Sequence, residues 1–233
     1  MWRCGGLMLA ACSALWAQFA PVAQARTPEE YDAFLGVVEA AGAPAAAERF
    51  LRDWPDSELR GRVYEMGFEA CRRQGRRTEA LAWGEKALAA NPHHLPLRAA
   101  LAALRANGAG SPEELARAEA DARRALADLE AYRPPKSVAR AEWRRIDGRC
   151  RADALTALGL VAFKRGDTPG AIQAFETAAR LAPAPDAALL YRLGKLYQLA
   201  GRKQDAAKLF AQAAALEEPA IRGLALAELE AAR

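Results

Sequence analysis

Apolar residues along this chain fall three and four apart in segment after segment, and no run alternates apolar with polar. The first spacing lines one face of an α-helix, whereas a half-buried strand needs the second. β-Branched residues are scarce as well, so the pattern predicts an all-α chain. Thr27-Pro28-Glu29-Glu30 supplies an N-cap, a proline at the first helical position and a capping-box glutamate. Tyr31, Phe34, Leu35 and Val38 then give the first helix one apolar face, and Gly42 ends it. Pro44 begins a second helix that buries Phe50, Leu51 and Trp54, and Pro55-Asp56-Ser57 stops it. Leu97, Leu101 and Leu104 line a short helix closed by Asn107-Gly108. Ser111-Pro112-Glu113-Glu114 opens another, with Leu115, Ala118, Ala122, Ala125 and Leu129 along one side. After the break at Pro134-Pro135, Ser137 can cap a helix that runs to Arg165, roughly 29 residues and about 43 Å long. Gly148 weakens its middle by about 1 kcal/mol. Leu224, Leu226 and Leu229 predict a closing helix.

Two segments, Ala152 to Pro185 and Ala187 to Glu218, repeat each other. Leu158-Gly159 matches Leu193-Gly194, Gly166 matches Gly201, Ala171 matches Ala206, Phe175 matches Phe210, and Ala178 matches Ala213, each pair 35 residues apart. A period of this size is that of stacked supersecondary units. Large and small residues at helical spacing on both sides of a glycine describe two antiparallel helices, with small residues where the backbones approach. An earlier segment, 60–94, keeps Gly75, Ala80, Ala87 and Pro92, with Met66-Gly67 one residue further from the turn.

These positions resemble the tetratricopeptide repeat, whose pattern has Leu-Gly in helix A, glycine at the turn, and Ala, Phe or Tyr, Ala and a closing proline in helix B. Pro183 supplies that proline, and Pro219 follows it, displaced by a residue. The resemblance implies a right-handed α-solenoid of antiparallel helix pairs, with about four to five repeats and a C-terminal capping helix. Segments 60–94, 152–185 and 187–218 are its clearest members. The hairpin at 27–57 is then a degenerate first repeat; Pro92 to Pro96 is a loop, and Leu97 to Leu129 forms a divergent repeat with its insertion at Gly108 to Ser111.

The first 25 residues read as a leader. Arg3 is the only charge before Arg26, Leu7 to Ala23 is largely apolar, and Ala23-Gln24-Ala25 gives a small-x-small cleavage pattern. A membrane span wants about 20 apolar residues, and this run is interrupted by Gln18 and Pro21. Cleavage would leave residues 26–233 as one exported, periplasmic domain. The alternative is a lipobox, Leu9-Ala10-Ala11-Cys12, which would make the chain a lipid-anchored envelope protein with membrane contact through Cys12.

Without Arg3 the chain carries 32 basic against 29 acidic side chains, a balance that does not point to nucleic acid. Catalytic and metal chemistry find little support. His93 and His94 are the only histidines and sit together in a loop with no cysteine or carboxylate cluster around them. The reading is a non-enzyme with no metal and no cofactor. Once Cys4 and Cys12 leave with the leader, Cys71 and Cys150 remain. They stand two repeats apart, roughly 20 Å at the usual helix spacing, beyond the reach of a disulfide; they read as free thiols.

Function must then come from surface. In the repeat family the concave face, lined by helix A, binds protein or peptide partners. The matching positions are Asp153, Thr156, Leu160 and Phe163, then Ala188, Tyr191, Lys195 and Gln198, and in the earlier segment Tyr64, Phe68 and Cys71. The resemblance therefore implies a partner groove at Tyr64, Phe68, Thr156, Leu160, Phe163, Tyr191 and Lys195. A second candidate is a basic ledge, Arg140, Arg144, Arg145 and Arg149, with Trp143 among them, suited to an acidic partner or anionic lipid.

Overall fold

The computed structural model describes residues 23–231. Most of the expected leader, with Cys4 and Cys12, lies outside these residues. The helix starts follow the capping chemistry. Thr27 Oγ1 accepts the Glu30 N–H at 3.2 Å, and Ser111 Oγ accepts the Glu114 N–H at 3.2 Å. Asp167 and Asp186 cap two further starts through the Gly170 and Leu189 N–H groups. Among the described residues the result is all-helical: α1 Pro28–Glu39, α2 Pro44–Asp53, α3 Arg60–Arg73, α4 Arg77–Ala90, α5 Leu95–Gly108, α6 Pro112–Ala131, α7 Arg140–Lys164, α8 Thr168–Leu181, α9 Ala187–Leu199, α10 Lys203–Ala214 and α11 Pro219–Ala231. Successive helices form adjacent pairs, as in a repeat solenoid. The chain divides into two compact units between Leu101 and Ala102, within α5.

In the second unit the repeat signature becomes packing. Phe175 and Phe210 are each 1 % exposed. Each ring lies over the helix A glycine sixteen positions before it, because only there can the backbone come close enough. A Cβ at Gly159 would sit 3.0 Å from the Phe175 ring, and one at Gly194 would sit 2.6 Å from Phe210. Gly166 and Gly201 turn each helix A into helix B at φ 83° and 77°, in the left-handed region that costs glycine little. The core continues through Ala157, Val161, Leu193 and Leu196 to Ala225 of α11.

In the first unit the same sixteen-residue relation holds between Gly67 and Trp83, and the one-residue slip lies between Gly67 and the turn at Gly75. Gly84 stands where the alignment expects the helix B aromatic, and Trp83 beside it supplies the ring. A Cβ at Gly67 would lie 2.6 Å from Trp83, while one at Gly84 would meet Leu101 at 2.6 Å and Phe68 at 3.0 Å. The extra residue before Gly75 is absorbed by exchanging glycine and ring.

Three expectations need correction. First, α1 turns Glu30 and Val37 inward, with Phe34 partly covered, and leaves Tyr31 and Val38 52 % and 46 % exposed. A terminal helix is covered on one side only, and periodicity does not say which. Second, the long helix starts at Arg140. Pro135 to Val138 forms a turn closed by the Val138 N–H and the Pro135 carbonyl at 3.0 Å, so Ser137 caps nothing. The helix has 25 residues and is about 38 Å long. Gly148 does not weaken it visibly: a Cβ there would meet the Leu181 carbonyl at 2.6 Å, so the glycine permits the end of α8 to approach. Third, α11 turns in Ala225 with Ile221 and Leu229, while Leu224 and Leu226 face out.

Candidate functional site

The predicted groove residues belong to different units and are taken separately. In the second unit, helix A residues of α7 and α9 follow a face that the core covers unevenly. Thr156 is half-buried and Leu160 is only 7 % exposed, packed in the core, so Leu160 is not presented to a partner. Phe163, one turn further, is 45 % exposed. Next to it, Lys164 reaches across to the Asn107 and Ala109 carbonyls at 2.9 and 2.7 Å, satisfying the end of α5. Phe163 is thus a bare ring on a firmly held helix end.

On α9 the expected positions already have an occupant from this chain. Lys195 Nζ donates to Glu228 Oε1 of α11 at 2.8 Å and to Gln198 Oε1 at 2.9 Å, and Gln198 Nε2 donates to Glu228 Oε2 at 3.2 Å. The Lys195 ammonium holds the Glu228 carboxyl below the usual carboxylate range. Tyr191 rests on Phe210, ring centroids 5.7 Å apart. Lys195 therefore fastens the closing helix and Tyr191 supports Phe210 of α10, and the most open expected anchor of this unit is Phe163.

In the first unit, Tyr64 is half-buried, 5.9 Å from Trp83, with the Arg60 guanidinium 5.9 Å over its ring. Phe68 and Cys71 are fully buried. Phe68 fills the space left by Gly84, which removes it from any partner surface.

The ledge is open. Arg140, Arg144, Arg145 and Arg149 are all exposed, and none pairs with a carboxylate among the described residues. Elsewhere exposed arginines commonly do, as in Arg72 with Glu69 and Arg202 with Asp205. Arg151 is engaged by Asp147 at 2.9 Å. Trp143 is not part of the open surface, since it stacks on Tyr132 at 5.1 Å.

A buried polar cluster in the first unit escaped the sequence reading. His94, expected in a loop, is 0 % exposed. It is the N-cap of α5: Nδ1 accepts the Leu97 N–H at 3.1 Å, which leaves the proton on Nε2, 3.3 Å from Glu65 Oε1. Arg62 Nη1 donates to Glu65 Oε2 at 2.9 Å. Burial pushes the Glu65 carboxyl up to about 7 and the His94 imidazole down to about 4. The one available signal was position, a polar residue three places before Leu97. His94 and Glu65 are both buried, so the cluster is a structural joint of α3 and α5. Among the described residues no group of three or more His, Cys, Asp or Glu is placed to hold a metal ion, and no helix is long and apolar enough to cross a membrane. Cys71 and Cys150 are free, and burial raises both thiols, which keeps them protonated and unreactive.

Residues 188–220 match the family profile of the tetratricopeptide repeat. No curated protein sequence matches the chain. Among solved structures, the chain is similar to TTC0263, a thermophilic TPR protein of Thermus thermophilus, at 22 % identity and a TM-score of 0.52, over 86 % of this chain and 98 % of that one. MamA 41-end from Desulfovibrio magneticus RS-1 is similar at 18 % identity and a TM-score of 0.49, over 81 % of this chain and 95 % of that one. The chain thus carries a tetratricopeptide repeat at residues 188–220 and shares the paired-helix fold of proteins built from that repeat.

Proposed function

We propose that this chain is an exported, non-catalytic interaction module of the bacterial envelope that seats a protein or peptide partner against the α7 face of its second unit. The observation that carries the reading is Phe163. Large aromatics left bare on rigid elements are common interface anchors, because they bury much area and have few rotors to immobilise. Thr156 adds a hydroxyl along the same helix. The repeat architecture supports a binding role, and the leader motif supports export. The lipid-anchored alternative requires Cys12 as the first residue.

The test begins with crosslinking in the intact envelope to obtain a partner. Phe163→Ala is then expected to weaken binding about tenfold or more while leaving helicity unchanged. Tyr191→Ala is a poorer probe than the sequence suggested, since its ring supports Phe210. A second reading follows from the unpaired arginines. If the ledge were the site, Arg144→Glu with Arg145→Glu would abolish binding, and added salt would do the same, because exposed charges are screened beyond about 8 Å at physiological ionic strength. The groove reading expects both to matter little.

A further inference from the structure

We infer that Glu30 is the acceptor for the chain's own new amino terminus, an ion pair created when the leader is cut from Arg26. The inference rests on the export reading for the cut, and on geometry for the rest. The Arg26 backbone nitrogen lies 2.7 Å from Glu30 Oε2, and Glu30 is 1 % exposed. The Ser57 hydroxyl and the Arg26 N–H hold this carboxyl below its ordinary range, so it is charged at neutral pH. From the element packed against it the group acting on Glu30 is Ser57, and Arg26 is the charged side chain acting on it among the described residues.

A similar contact exists at α6, where the Gly110 N–H donates to Glu114 Oε2 at 2.7 Å. There the carboxylate is exposed and no cleavage pattern precedes it, so the contact is a helix cap and nothing more. At α1 the donor atom is the nitrogen that follows Ala23-Gln24-Ala25 directly. Those three residues lie with Arg26 and Thr27 along a depression shared with Tyr31, Phe34 and Leu59. Hydrolysis adds one water across the Ala25–Arg26 peptide bond. Ala25 departs as a carboxylate, and the Arg26 amide N–H becomes an α-ammonium at the same place. One neutral donor hydrogen is replaced by three on a cation, and a charge-assisted bond is roughly twice as strong as a neutral one. Processing would therefore strengthen the α1 start that it exposes.

Every described helix lies within residues 28–231, so the processed chain contains the whole described fold. Two forms, one starting at Arg26 and one retaining Ala25, are compared by thermal unfolding. The carboxylate raises the ammonium's pKa above its usual value of about 7.7–8.0. The stabilisation is therefore full below that value and lost as pH rises through the raised one. At pH 7 the Arg26 form is expected to melt about 2–4 °C higher, and near pH 10 the two forms should melt together. Glu30→Gln should remove the difference at pH 7. Should that variant fail to fold, the α-amine of the unmutated Arg26 form is titrated by NMR, where an unshifted or lowered pKa defeats the ion pair. Equal melting at pH 7 also defeats the ion pair while leaving export untouched. Intact mass of the exported protein is expected to begin at Arg26. A lipidated species starting at Cys12 would leave the Arg26 nitrogen an amide and overturn both the ion pair and the cut after Ala25.

Discussion

Phe175→Ala is expected to destabilise the second unit by about 3–5 kcal/mol, the usual cost of removing a buried aromatic from a core that cannot collapse around the gap. The site has little room to adjust. The ring is 1 % exposed and lies against Gly159, where even a Cβ would be 3.0 Å away. Gly159 against the ring and the buried Ala171 and Ala178 on the same helix have no side chain long enough to extend into the space truncation would leave. Repeats couple mainly to their neighbours, so amide exchange should rise first in α7, α8 and α9. Phe163→Ala is the matched control: the same change at an exposed ring should alter stability by no more than about 0.5 kcal/mol. Urea unfolding of Phe175→Ala that superposes on wild type would show that the register assigned to helix B is wrong.

That register was legible because it rests on a steric pair. A glycine in helix A and a ring sixteen positions later can be seen in sequence wherever both keep their places, as at Gly159 and Gly194. Gly67 and Trp83 keep the same sixteen, but the turn glycine Gly75 stands eight places after Gly67 rather than seven, so an alignment anchored on the turn put Gly84 in the ring's place. Helix existence was equally readable from caps, but the buried side was not. Val37 and Ala225 face inward, while Tyr31 and Leu224 do not, because the covering neighbour and not the period decides. The candidate site was half legible. Motif positions include Phe163, which is exposed, but Phe68, Leu160 and Lys195, which share one helix A position, are consumed by packing or by Glu228. Sequence offers a helix face, and only tertiary contact decides which part of it remains for a partner. His94 was hidden for another reason: its neighbour Glu65 is 29 positions away, and no local pattern joins them.

Glu65→Gln and His94→Asn are expected to give the first unit opposite pH dependences. The native Glu65 carboxyl is raised from 4.5 to about 7 by burial, with Arg62 opposing the shift. It therefore binds its proton more tightly folded than unfolded. Its contribution is full below about pH 4.5 and is lost as pH rises toward 7. Burial, and next the Arg62 charge, lowers His94 from 6.5 to about 4. Its contribution is full above about pH 6.5 and is lost as pH falls toward 4. Between about 4.5 and 6.5 the two slopes oppose each other, so wild type should be nearly flat there. Each slope alone amounts to about 1.4 kcal/mol per pH unit at most. Removing the carboxyl by Glu65→Gln leaves the histidine, and stability should fall on acidification. Removing the imidazole by His94→Asn keeps a capping side chain for Leu97 and leaves the carboxyl, so stability should rise on acidification. Urea midpoints across this range, read by amide exchange in α3 and α4, decide the matter. Two variants with slopes of the same sign would mean that Glu65 and His94 do not titrate as a buried pair, and that Arg62 alone sets the charge of the carboxylate.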